Sequence, residues 1–135
     1  MSWQVIRELL EERIQALEPT FPTAWEGKVF QPTTGVAYQR VALLPGKPLG
    51  GIFGSEFKVE TGVLQIDIFY PANRGTAAPT AKAQGVLTQF RRGLSFSEGV
   101  VTVRILTHPF MSPAPADAAW QRAVVSIPFA AEIAA

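Results

Sequence analysis

The segment Phe57–Tyr70, Phe-Lys-Val-Glu-Thr-Gly-Val-Leu-Gln-Ile-Asp-Ile-Phe-Tyr, constrains the chain more than any other. Its side chains alternate with the period of two that only an extended strand satisfies. Leu64, Ile66, Ile68 and Tyr70 fall on one face, with Val63, Gln65, Asp67 and Phe69 on the other. At up to fourteen residues it far exceeds the usual strand of about five or six. A strand of that length bends, with Gly62 the natural point, or runs past the edge of its own core. The second alternative suits contact with a neighbouring subunit.

Around this strand the rest of the chain takes its place. Residues 3–17 read as an amphipathic helix, with Ile6, Leu9, Leu10, Ile14 and Leu17 on one side and Arg7, Glu8, Glu11 and Glu12 on the other. Ser2 is the expected N-cap and Pro19 the stop. Residues 18–35 hold Phe21, Trp25 and Phe30 in an ordered connection, with room for a short strand at 28–30. A strand is expected over Ala37–Leu44. Pro45–Gly54, with four glycines and two prolines in ten residues, is a loop, yet it carries Leu49, Ile52 and Phe53. Thr76–Phe90 reads as a second helix whose stripe is Ala83, Val86, Leu87 and Phe90, with Gly93 as its cap. Val100–Leu106 reads as a strand and His108–Ala116 as a proline-rich loop. Trp120–Ala131 is the last strand, which Pro128 confines to an edge or ends.

The expected fold is α+β: one domain over residues 1–135, with a single mixed or antiparallel sheet of four to five strands and two helices packed on it. The long strand, second helix and following strand form a crossover unit inside that sheet. A chain of 135 residues with 47% hydrophobic and 17% charged side chains has enough apolar material for such a core. The N-terminus carries acids where a secretory signal needs an apolar run, and no stretch approaches the roughly 18 apolar residues of a membrane span. The chain therefore reads as soluble and cytoplasmic.

The catalytic signatures fail one by one. Cysteine is absent, which removes disulfides, thiolate nucleophiles and most structural zinc sites. Gly46-Lys47 is followed by Pro48, and Val41 stands where a phosphate-binding loop needs its first glycine. Leu49 spoils the dinucleotide pattern in the register of Gly51 and Gly54. Gly93-Leu-Ser95-Phe-Ser97 lacks the final glycine of a nucleophile elbow. His108, the single histidine, precedes Pro109 in a loop and is the sole candidate base. Glu60 and Asp67 fall on opposite faces of an unbent strand, while Glu56 and Glu60 beside Lys58 look like edge charges. Arg91-Arg92 complements a helix C-terminus, and a net charge of +1 speaks against nucleic acid as a specific partner. Neither catalytic site, metal nor cofactor is expected.

Several runs resemble one family. Glu60-Thr-Gly-Val-Leu-Gln-Ile-Asp-Ile-Phe-Tyr-Pro-Ala-Asn-Arg-Gly75 before an alanine-rich helix, Ala16-Leu-Glu-Pro19 with Ala24-Trp-Glu26, and Val124-Val-Ser-Ile-Pro-Phe129 are similar to the tail terminator, or tail completion, proteins of long-tailed bacteriophages and prophages. The resemblance implies a non-enzymatic subunit of a homo-oligomeric, hexameric ring, monomeric when dilute. Such a ring caps the tail tube, stops its polymerisation and presents a head-joining surface. Its partners are then the major tail tube protein and a head–tail joining protein. Its place is the host cytoplasm during assembly and the virion tail afterwards. A head–tail connector or other minor tail protein, a small cytoplasmic ligand-binding module and a hydrolase built on His108 remain as alternatives. The family carries over no contact residues. From this sequence alone, the candidate subunit interface is Leu49, Ile52, Phe53 and Phe57 at the loop and the start of the long strand, with Phe110 and Met111 in the proline-rich loop.

Overall fold

The computed structural model describes residues 2–48, 57–113 and 119–134. Helix α1 is Ser2–Leu17. It buries Ile6, Leu9, Leu10 and Ile14, the i, i+3, i+4 stripe that its periodicity dictates. Ser2 is the first helical residue rather than a cap outside the helix. Strand β1 is Thr23–Ala24, β2 Tyr38–Pro45 and β3 Phe57–Pro71. Helix α2 is Ala77–Gln89. Its Pro79 lies in the first turn, where a missing N–H breaks no intrahelical bond. Phe90, just past its end, is fully buried; removing a side chain of that size from water stabilises a fold by about 1.5–3 kcal/mol. Then come β4 Ser95–Glu98, β5 Val101–Arg104, β6 Phe110–Pro113 and β7 Trp120–Ala134.

All seven strands among the described residues join one sheet, in the order β1-β2-β3-β7-β5-β4, with β6 also paired to β7. Seven replaces the four to five expected, because β1, β4 and β6 are short pieces without apolar alternation. The short strand at 28–30 is not formed; its place is taken by β1, paired in parallel with β2 at Gln39 and Arg40. The proline-rich stretch after His108 is not all loop, since β6 lies within it. Gly93 takes a left-handed φ of 90°, but α2 has already ended. Its N–H donates to Ile105 at 2.8 Å and steers the chain into β4. The crossover from β3 through α2 leads to the β4–β5 hairpin, and β7 then inserts between β3 and β5. The parallel pair in the sheet is thus β1–β2.

The two longest strands, β3 and β7, pair antiparallel over all fifteen residues of each. β7 is therefore central, not the edge that Pro128 suggested. Ala134 N–H donates to Val100 at 3.0 Å, so even-numbered residues of β7 turn their backbones toward the β5/β6 flank. On that flank β5 pairs with 130–133 and β6 with 123–126. Pro128 falls in the gap between them, where its missing N–H forfeits nothing. Residues 105–109 bow out opposite that gap.

Both helices pack on one face of the sheet, over Val41, Leu43, Leu64, Ile66, Ile68, Val101, Val103, Ile105, Val125, Ile127, Phe129 and Ala131. Arg13 Nε donates to the Gln89 carbonyl at 3.2 Å and Lys82 Nζ lies 3.3 Å from Glu18, so the helices are tied to each other at two points. Among the described residues the opposite face carries no helix.

Candidate functional site

The open face is composed of the side chains that alternate with the core. The strand registers line them up in rows across the sheet. One row is Tyr38–Phe69–Arg122, the next Arg40–Asp67–Val124–Ser112. Then come Ala42–Gln65–Ser126–Phe110 and Leu44–Val63–Pro128. Beyond lie Thr61–Ala130–Arg104 and Val59–Glu132–Thr102.

The first end of this face is sealed by its own aromatics. Tyr38 stacks on Phe69 at 4.6 Å, Trp120 meets Tyr38 edge-on at 5.1 Å, and Phe30 lies 5.2 Å from Tyr38. The guanidinium groups of Arg40 and Arg122 sit 5.6 and 5.5 Å from the Phe69 ring centre, within cation–π range. Asp67, buried on this face, accepts from Arg122 Nη2 at 2.6 Å and from Gln65 Nε2 at 3.0 Å. Its charge is thus matched inside the subunit. At the far end Arg104 Nε donates to Glu132 at 2.8 Å.

Between these paired charges runs an uncharged strip: Ala42, Leu44, Val63, Val124, Pro128 and Phe110, with Gln65 and Ser126. Leu44 is 48% and Phe110 52% exposed. Large apolar side chains left half in water in adjacent rows, on a face that no helix among the described residues covers, mark a contact surface more often than an ordinary solvated one.

The expected interface residues separate accordingly. Phe110 joins the open strip. Met111, its neighbour, points to the helix side at the margin of the sheet, 39% exposed. It borders a cavity of about 160 Å³ with Thr76, Pro79, Thr80 and Gln121. Phe57 begins β3 opposite Ala134, but its side chain lies outside the described residues, as do Leu49, Ile52 and Phe53. Leu44, Val63 and Pro128 escaped the sequence reading. Their signal was there in the doublets Leu43-Leu44, Val63-Leu64 and Val124-Val125, which place an apolar residue on both faces of a strand.

Nothing among the described residues converges as an active site does. His108 is exposed in the bowed segment before β6. Glu60 and Asp67 do lie on opposite faces, Glu60 paired with Lys58 at 2.9 Å. No group of three or more histidines and acids could hold a metal among the described residues. The space between α1 and the sheet, lined by Leu10, Val41, Leu43 and Leu64, has no room for a water molecule, which leaves a ligand no place there. No helix among the described residues is long and apolar enough to cross a membrane.

Fold and surface together define a one-sheet α+β domain with helices on one side and, among the described residues, an uncovered apolar strip on the other. A family model described as phage tail terminator protein matches residues 5–129. The chain belongs to the phage tail terminator family, a structural and not an enzymatic family, and its role is structural, in the phage tail. A solved structure with 23% sequence identity superposes with a TM-score of 0.72, covering 98% of this chain and 96% of its own; that likeness carries the fold alone. No curated protein matches the chain.

Proposed function

We propose that the protein is the subunit of a homo-oligomeric, hexameric ring that caps the tail tube, stops its polymerisation and offers the surface on which the head is joined. The observation that supports this reading best is the uncharged strip on the helix-free face. It is apolar enough to be covered, and flanked by charges already satisfied within the subunit. A domain that kept this face in water would gain nothing from Leu44 and Phe110 there. The strip has the character of a surface that an assembly covers. Phe110 and Met111 are contact residues in this reading, and Leu49, Ile52, Phe53 and Phe57 are proposed as contact residues with them. The major tail tube protein and a head–tail joining protein are the partners, met in the host cytoplasm during assembly.

The test is imaging of the purified protein mixed with its cognate tail tubes. Rings seated at tube ends, and tubes that no longer elongate when fresh tube subunits are added, are the expected result. Tubes that keep growing with the protein bound elsewhere contradict it and favour another minor tail component. A gene lying just before that of the major tail subunit fits a terminator better than a head–tail connector.

A further inference from the structure

We propose that neighbouring copies join edge to edge, with β2 of one copy pairing in parallel with β4 of the next. The inference rests on the ring reading above and names its contact. β1 covers β2 only as far as Arg40, and among the described residues the rest of β2 is an edge. Backbone N–H groups on that edge belong to odd-numbered residues, since Gln39 N–H reaches Pro22 at 3.0 Å. Past β1 the outward N–H is that of Leu43. It is held not by a strand but by a side chain, the Glu26 carboxylate at 2.6 Å. A carboxylate in the place of a strand carbonyl is a removable guard on an edge. Glu26 also accepts from Arg7 at 2.7 Å, and keeps that partner when a carbonyl displaces it from Leu43.

The opposite end of the sheet supplies the matching edge. Ile105 N–H donates to Leu94 at 2.9 Å, which fixes odd-numbered residues of β5 toward β4. Glu98 and Phe96 pair with Val101 and Val103, leaving the backbones of Ser95 and Ser97 pointing outward. β6, by contrast, turns Phe110 and Ser112 toward β7. Its outward positions are Met111 and Pro113, with Pro109 just before the strand, so prolines without an N–H flank the single outward donor. That edge is closed by composition.

Direction and face then agree. Successive antiparallel pairings from β2 through β3, β7 and β5 to β4 make β2 and β4 run the same way. In a parallel pair, a residue bonds to the two residues that flank its opposite number. Leu43 opposite Phe96 therefore donates to the Ser95 carbonyl and accepts from Ser97 N–H. Leu43 and Phe96 both face the helix side, and Leu44 and the opposing Ser97 both face the open side. Every copy keeps its helices on the same side, as closure about an axis along the strands requires. An antiparallel junction at these edges turns each neighbour over.

Disulfide trapping tests this in a chain that has no cysteine of its own. Leu44→Cys with Ser97→Cys places two thiols opposite each other between copies. Within one copy β3, β7 and β5 separate them. Assembled on tube ends and oxidised, the double variant gives a ladder of linked chains on a denaturing gel, and neither single variant goes beyond a dimer. Ser97→Pro removes the outward donor but no hydrogen bond of the subunit itself, and lowers the assembled fraction about tenfold per contact, the worth of one hydrogen bond, at unchanged melting temperature. Rings that form without the ladder, or assembly of Ser97→Pro at wild-type strength, overturn the β2–β4 junction and leave the ring reading standing. Absence of any ring or tube-end cap in the wild type overturns the ring reading itself.

Discussion

Gly62 shows how one residue sets the form of the long strand. A Cβ there lies 2.8 Å from the Phe129 ring and 2.9 Å from the Leu44 carbonyl oxygen. The ring could turn aside, but the carbonyl is backbone and cannot. The glycine therefore serves close approach of three strands and not flexibility, and β3 passes through it without losing register. Gly62→Ala is expected to destabilise the domain by about 1–3 kcal/mol, read from urea unfolding midpoints. Lys82 is the opposite case, a charge placed where a hydrophobe fits. Its side chain is 4% exposed, 3.3 Å from Glu18 and 4.1 Å from the centre of the Phe21 ring. The ammonium nevertheless lacks a well-aligned hydrogen bond, so the attraction is one of charge and of ring face. Replacing a buried ion by an apolar side chain of similar volume is commonly neutral or stabilising. Lys82→Met should leave the unfolding midpoint unchanged or raise it, and a loss beyond about 2 kcal/mol would show that the ion pair holds the helices together. At this scale the candidate surface was partly legible. Phe110 stands out as a contact candidate because a large aromatic beside prolines is conspicuous. Leu44 and Val63 were missed because an apolar residue in a strand is first assigned to the core.

Elements announced themselves in proportion to how much core they bury. α1, α2, β3 and β7 carry their own periodicity and emerged within a few residues of their observed ends. β4, Ser-Phe-Ser-Glu, has one core-facing side chain, and β1 is two residues long. Such strands exist because a neighbour supplies the ladder, which no local pattern records. The clasp between α1 and β2 belongs to this scale too. Burial opposes the charge on Glu26, but the Arg7 hydrogen bond, the Leu43 amide and the Arg7 charge outweigh it and hold the carboxyl below the usual 4.5. Its contribution is therefore present above the ordinary carboxyl value and is lost as pH falls through the depressed one. Glu11 runs the other way. Burial raises it above 4.5 despite Arg7 and Lys28, so its contribution grows as pH falls through the raised value. Glu26→Gln is expected to lose less stability than the wild type on acidification below 4.5, and Glu11→Gln to lose more. Urea midpoints compared at neutral and acid pH decide it. A Glu26→Gln profile parallel to that of the wild type means the clasp contributes nothing measurable.

For the whole molecule, the decisive feature is the asymmetry of the sheet, with two helices on one face and, among the described residues, none on the other. Hydropathy could not announce it, because β3 and β7 carry apolar residues on both faces and read equally well as strands between two layers. Stability and assembly are thus assigned to opposite faces, and mutation can separate them. Val125 is fully buried on the helix side, whereas Phe110 is 52% exposed on the open side. Val125→Ser removes buried apolar surface and leaves an unpaired hydroxyl in the core, so it should unfold readily, by about 2–4 kcal/mol. Phe110→Ser should alter subunit stability by no more than about 0.5–1 kcal/mol, as for other partly exposed positions. If the strip is covered in the assembled tail, that same change weakens tube-end binding, and tails formed in its presence are longer and more variable in length. Measured side by side, melting temperature and tail length should respond to different variants. Should Phe110→Ser leave both unchanged, the open strip is not a contact surface, and the row of exposed Leu44 with half-buried Val63 and Pro128 loses its explanation.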